Sequence, residues 1–351
     1  MLKSAVIGCG TVGTWKHLPA LDSHPAVDLV AVCDADSELG QRTADEYGVR
    51  AYRSVEEMLS EADLNSVHVC TPPQTHLPIV TDIMRSGTPV LIEKPVATDS
   101  DAVREMLKLS EETGTMASVV HNKLFQPQVR DALRAVERGR IGDVVSATML
   151  FSEPQHNEHP DWTVDLPGGG LGEGLPHQIY PPLAFVGRLD EVTSVYTGDV
   201  TGNNNFGFDA LEVHATDVNN RLVSIEVVAN REHRDYLLVQ GTDGELRIDL
   251  LNRNSVELHS GSDLAFVERL FTNTLQVVRQ LGTGVVSNGF EFGLNEARRQ
   301  LGRYSRDANG HYELIDRFVR AVRSGDDPPV TLEEGLDTTR VTEAVARHVA
   351  D

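Results

Sequence analysis

SAVIGCGTVG, residues 4–13, decides the fold: an apolar run stops at Gly8, and two further glycines follow at Gly10 and Gly13. Three glycines at that spacing also occur by chance. They gain weight from their surroundings, because a strand-like run precedes them, a helix-like segment follows, and the next apolar run, DLVAVCD (28–34), ends on Asp34. In such a turn Gly8 permits the sharp reversal, Gly10 lets backbone approach a pyrophosphate, and Gly13 allows a helix to pack closely on the sheet. The N–H groups of Thr11, Val12 and Gly13 then lie at a helix start, where they lack carbonyl partners and face an anion. Asp34 is placed to accept hydrogen bonds from a ribose, and Asp36 and Glu38 beside it would repel a 2′-phosphate. NAD(H) is therefore expected over NADP(H).

Outward from this turn, short apolar runs alternate with helix-length segments. The runs are SVHVC (66–70), PVLIEKP (89–95) and MASVVHN (116–122); the helical segments are SELGQRTADEYG (37–48), VEEMLSEAD (55–63), THLPIVTDIMRSG (75–87) and DSDAVREMLKLSEETG (99–114). That alternation predicts an α/β fold, with a doubly wound parallel sheet of the Rossmann type over residues 1–122. After residue 122 longer alternating runs take over: VVSATMLFS (144–152), DEVTSVYTG (190–198), DALEVHATD (209–217), RLVSIEVVAN (221–230), DYLLVQGTD (235–243) and GELRIDLL (244–251). They predict an α+β domain over residues 123–351 with a mostly antiparallel sheet covered on one face.

Composition limits the partners. Acidic side chains number 53 against 31 basic ones, for a formal charge of −22, and no basic block stands out. Nucleic acid and anionic membrane surfaces are thus unexpected. No apolar run approaches the roughly 20 residues of a bilayer span, and the chain runs from Met1 straight into a strand-like segment, so a cytoplasmic location is expected. Cys9, Cys33 and Cys70 show no CxxC spacing and fall near strand ends, which reads as reduced, buried packing.

CTPPQTH (70–76) and EKP (93–95) resemble the glucose-fructose oxidoreductase, inositol dehydrogenase and MocA (Gfo/Idh/MocA) family. Thr71, Pro72, Pro73 and His76 match its TPxxxH segment, and Glu93, Lys94 and Pro95 its EKP. The likeness continues through NKLFQP (122–127), RGRIGDVV (138–145), GGGLGEGLPH (168–177) and HYELIDRFVRAVRSGDDPPVTLEEGLDTTRV (311–341). It implies a second domain with an open-faced sheet, substrate held between the domains, a last helix near 332–349 that packs toward the first domain, and a homodimer or homotetramer. It also implies cofactor contacts for Thr71, Pro72, Pro73, His76, Glu93 and Lys94. His76 equally suits a helix cap or a bond to a backbone carbonyl.

In the resembled family a GGG segment leads into a helix whose acid and histidine, four residues apart, face the nicotinamide. Glu173 and His177 have that spacing, which puts both on one helical face. Glu stands where Asp is usual, the segment before it is one residue short, and Pro176 disturbs the register. Lys94, at the end of an apolar strand, is suited to bind the oxygen of a substrate alcohol or carbonyl, with an ion pair to Glu93 or to a cofactor phosphate as the plainer reading. Lys94, His177 and Glu173 are the catalytic candidates. Asn122, Lys123, His156, Trp162 and His177 are candidates for substrate contact, and no metal site is expected from His156 and His159 alone. Residues 262–282 and 289–308 read as added helices with a buried face.

The function expected is hydride transfer between a nicotinamide and a hydroxyl or carbonyl carbon of a sugar, polyol or cyclic alcohol. Two alternatives share the fold: a redox-neutral NAD-dependent glycosidase or lyase, and a non-catalytic NAD-binding sensor.

Overall fold

The computed structural model describes residues 1–154, 163, 173–200, 208–229, 231–259, 273–275, 277–278, 282, 293–294 and 309–350. The chain divides into two units, Met1–Asn122 with Ala297–Arg340 and Lys123–Glu296 with Val341–Asp351.

In the first unit the apolar runs become β1 (Leu2–Ile7), β2 (Val27–Cys33), β4 (Ser66–Val69), β5 (Val90–Ile92) and β6 (Ala117–Val119). A further strand, β3 (Arg50–Tyr52), has only three residues and one buried side chain, too short a run to show alternation. All pairs are parallel, in the order β3-β2-β1-β4-β5-β6. The order reverses between β1 and β4, and ligands of doubly wound sheets bind at the carboxyl ends of strands at such a switch point. Helices α1 (Leu18–Asp22), α2 (Ser37–Tyr47), α3 (Val55–Glu61), α4 (His76–Arg85) and α5 (Ser100–Thr113) connect the strands. Their ends follow local chemistry. Asp36, Ser54 and Asp99 cap α2, α3 and α5 by accepting from backbone N–H groups, and Gly114 closes α5 in the left-handed conformation. The core strands are buried on both faces, each enclosed Val, Leu or Ile contributing about 1.5–3 kcal/mol.

The second unit holds α6 (Pro127–Glu137), β7 (Val144–Glu153), α7 (Pro176–Val186), β8 (Leu189–Gly198), β9 (Ala210–Asp217), β10 (Leu222–Ala229), β11 (Arg234–Gly241), β12 (Gly244–Asp249) and β13 (Asn254–His259). The seven strands run β13-β12-β11-β7-β10-β9-β8. Only β7 and β10 pair in parallel; every other pair is antiparallel. One face is buried, through Ala147, Met149, Val223, Ile225, Leu237 and Val239, and α7 packs on β7, β10 and β11. On the other face Tyr196 and Leu222 are exposed, the alternation of a sheet covered on one side.

Two helices close the chain, α8 (His311–Ser324) in the first unit and α9 (Leu332–Ala350), whose residues through Arg340 belong to the first unit and the rest to the second. No helix among the described residues is long and apolar enough to cross a membrane.

Candidate functional site

Each glycine of the turn after β1 has its own steric reason. Gly8 has φ +95°, and a Cβ there would lie 2.7 Å from the carbonyl carbon and oxygen of Cys70. A Cβ on Gly13 would strike the Gly8 carbonyl oxygen, whereas one on Gly10 would meet nothing within 4 Å. Gly8 and Gly13 are thus required by the protein itself, while Gly10 borders open space at the switch point. Thr11 and Val12 are helical, and the first bond of that helix runs from Thr14 N–H to Gly10 O at 2.9 Å. The N–H groups of Thr11, Val12 and Gly13 therefore form its first turn. The helix then widens into a π-turn, Gly13–His17, closed by Leu18 N–H on Gly13 O, and His17 ends it fully buried.

At the end of β2, Asp34 accepts from Cys9 N–H through Oδ2 at 2.7 Å and from Asp36 N–H through Oδ1 at 2.8 Å. Each oxygen keeps a lone pair for a hydroxyl. Burial and the Asp34 charge push the Cys9 thiol up to about 11 and that of Cys33 up to about 12, and burial holds Cys70 well above its usual value. These thiols stay protonated at neutral pH and act as packing.

Thr71 and Pro72 are half-buried at the end of β4, Pro73 is buried, and a single 3₁₀ turn over Pro73–Thr75 precedes α4. His76, one of the residues expected beside the cofactor, is 0% exposed: Nε2 lies 2.7 Å from Thr71 O and Nδ1 3.1 Å from Val96 O. Of the roles open to it, the carbonyl role is the one the geometry shows. It staples the TPP segment to the residues after EKP.

Lys94 is half-buried in the turn after β5, joined to Pro95 by a cis peptide. Its N–H donates to Glu93 Oε2 at 3.0 Å. Glu93, also expected beside the cofactor, points into the protein with 3% exposure. His17 Nε2 donates to its Oε1 at 2.9 Å, His311 Nε2 lies 3.7 Å from the same atom, and His17 Nδ1 shares a proton with His68 Nδ1 at 2.9 Å. Burial alone would raise the Glu93 carboxyl, but the hydrogen bonds from His17 and His311 outweigh it and hold it well below the usual range. Burial and the neighbouring His17 push His68 far below its ordinary value. Sequence reasoning missed this cluster; a histidine inside the apolar run SVHVC was its one signal. Asn122 is buried too, its amide donating to Asn309 O at 2.8 Å.

In the second unit, Glu173 and Gly174 are helical and Leu175 keeps a right-handed helical conformation, φ −56° and ψ −37°, although Pro176 follows. Helical register therefore runs from Glu173 to His177 despite the proline, which takes the first position of α7, where its missing N–H costs nothing. Pro181 and Pro182 lie inside α7; both are buried with Ile179, Leu183 and Phe185, so packing offsets the lost donors. His177 is half-buried, with Nδ1 2.9 Å from Tyr180 Oη. Lys123, expected to touch substrate, is paired with Asp235 at 2.8 and 3.1 Å. His156, His159, Trp162, the GGG of residues 168–170 and most of residues 262–308 lie outside the described residues.

Residues 2–121 match the family described as oxidoreductases with an NAD-binding Rossmann fold, and residues 134–351 match that family's C-terminal alpha/beta domain. Inositol 2-dehydrogenase of Rhizobium meliloti is 30% identical over 44% of this chain; the match spans 46% of that protein, under half its length. A dehydrogenase of Bordetella pertussis, solved with NADH and UDP-GlcNAcA, superposes with TM-score 0.74 at 20% identity over 100% of this chain and 97% of that one. A 3-ketoreductase of Actinomadura kijaniata, solved with NADP and TDP-benzene, does so with TM-score 0.71 at 19% identity over 99% and 97%. The two halves of the chain match the two domain profiles in order, and on that ground the chain belongs to the Gfo/Idh/MocA family of NAD(P)-dependent oxidoreductases.

Proposed function

We propose that this oxidoreductase prefers NAD(H) and acts on a hydroxyl or carbonyl carbon of a sugar, polyol or cyclic alcohol. The observation that carries the reading is the open space at Gly10 beside the Asp34 carboxylate, a cradle that fits a dinucleotide's pyrophosphate and ribose. The N–H groups of Thr11, Val12 and Gly13 hold the phosphates, and Thr71, Pro72 and Pro73 line the same strand ends. Asp34 accepts from the ribose. Asp36, exposed and capping α2 through its carboxylate, supplies the charge that disfavours a 2′-phosphate.

When bound, NAD(P) supplies the hydride acceptor or donor. In oxidation, Nε2 of His177 takes the hydroxyl proton, the Lys94 ammonium stabilises the charge developing on the oxygen, and Glu173 orients one or both. Reduction uses the same groups in reverse. The exposed sheet face, with Tyr196, Leu222 and Tyr236, supports a homodimer or homotetramer built there.

The test is NADH formation across aldoses, inositols and polyols, with NAD and NADP compared. A substrate-dependent rise with NAD is expected. No rise with any of them, in a protein that binds NAD, would move the reading to a redox-neutral enzyme or a sensor.

A further inference from the structure

Lys123 grips α7 at two points. Its backbone N–H donates to Tyr180 Oη at 3.1 Å, and its ammonium donates to Gln178 Oε1 at 3.3 Å and to both Asp235 oxygens at 3.1 and 2.8 Å. The ammonium also lies 5.5 Å from the centre of the Phe151 ring. Lys123 and Asp235 side chains are 12% and 11% exposed and Tyr180 is 2% exposed, so the arrangement is enclosed. His177 stands within it, Nδ1 on Tyr180 Oη and the ring edge-on to the phenol.

An imidazole that gives and takes a proton at Nε2 works best when Nδ1 keeps one partner throughout. A phenol oxygen that already accepts one N–H has a second lone pair to offer. If Nδ1–H donates to it, the bond survives whether Nε2 is bare or protonated, and the ring need not turn. The opposite arrangement, O–H donating to Nδ1, would leave the proton of a neutral ring on Nε2 and disable it as a base.

We propose that Tyr180 and Lys123 are positioning residues for His177: Tyr180 Oη accepts from Nδ1–H and so presents Nε2, while Lys123, anchored by Asp235, holds Tyr180 and Gln178 in place. This rests on His177 as the acid-base group of the reaction. It assigns Lys123 an internal role, since its three ammonium donors go to Asp235 Oδ1, Asp235 Oδ2 and Gln178 Oε1. Around α7 the charges of Lys123 and Asp235 offset one another, and that of Glu153 at the end of β7 reaches the Lys123 ammonium, whereas Glu226 of β10 and Arg234 of β11 are exposed and alternate away from the buried face. Glu173 precedes the helix.

The test is long-range nitrogen–proton NMR on the intact chain with isotope-labelled histidine, the His177 signals assigned by their loss in His177→Gln. In the unmodified protein above its titration midpoint, Nδ1 should carry the proton and Nε2 should be bare. Tyr180→Phe removes the oxygen and little else. It should move the proton toward Nε2, as in free histidine, and lower the midpoint by about half a unit or more, because the charged ring loses an acceptor. Asp235→Asn, which releases the Lys123 anchor, should move both readings in the same direction by less. An unchanged tautomer and midpoint in Tyr180→Phe would overturn the proposal, and so would a raised midpoint, the result of an O–H donating to Nδ1. The readings need no substrate: unchanged turnover in His177→Ala would remove the catalytic reading and leave the NMR result standing on its own.

Discussion

The parallel-sheet unit buries His17, His24, His68, His76, His121 and His311, whereas His177 of the mostly antiparallel unit is half-buried in the first turn of α7. The buried rings satisfy carboxylates and carbonyls: Asp316 for His24, Glu93 for His17, and Thr71 and Val96 for His76. His177 meets a phenol through Nδ1. Residue type is the same and the environment decides its work. Enclosed histidines hold backbone and charge in place, and a partly exposed one with a fixed inner partner is able to exchange a proton with a ligand.

The largest effect that would break this contrast is on stability. Glu93→Gln or His17→Leu leaves one member of a buried pair unsatisfied, and a loss of about 3–5 kcal/mol is expected in urea unfolding. A loss under about 1 kcal/mol would mean that the cluster is not structural. For His177→Ala the expectation reverses: unfolding changes little, NAD binding persists, and the chemical step slows about a hundredfold or more. Lys94→Ala should follow the same kinetic pattern; unchanged turnover in either removes that residue from the mechanism.

A pH series sharpens the comparison. His68 lies far below its ordinary value of 6.5 and His121 is pushed down to about 3, both by burial. From about pH 6.5 downward the unfolded chain binds protons that the native protein refuses, so stability falls as pH falls, by up to about 1.4 kcal/mol per unit for each such ring. Glu93 adds a loss of the same sign below its ordinary 4.5. Urea midpoints between about pH 7 and 4 should decline steadily; a flat profile would contradict the burial of neutral rings. Smallest is Asp34→Ala, expected to weaken NAD binding by about 1.5–3 kcal/mol and to narrow the difference from NADP, read by fluorescence titration. Equal affinity for both cofactors in the unmodified protein would defeat the preference.

Local chemistry made much of this legible. GCGTVG and the alternating apolar runs each act within a few residues, and the i,i+4 pair Glu173 and His177 needs only one helix turn. What stayed hidden depends on distant partners or on very short elements. β3 spans three residues, and β13 follows a turn at Asn252 and Arg253 that carries no glycine or proline. The cluster of Glu93 with His17, His68 and His311 draws on four separate segments, and Lys123 finds Asp235 across 112 positions of sequence. No spacing rule reaches that far. The inward turn of Glu93 also escaped a reading that set it beside the cofactor, since its neighbour Lys94 supplied the only visible context.

The edge strand β6 is completed by a segment far down the chain: Ser118 Oγ donates to Val330 O at 2.8 Å, Val119 N–H donates to the same carbonyl at 3.2 Å, and Gly335 lies close against Val119. On the ribosome, residues 1–122 emerge with that edge unpaired and must wait while residues 123–296 of the other unit are made. The nucleotide-binding half is therefore begun before the other unit, yet completed only after most of that unit has been made. Cutting the gene after codon 122 would yield a sheet with an open edge, whereas supplying residues 309–340 as a separate peptide would offer the missing cover.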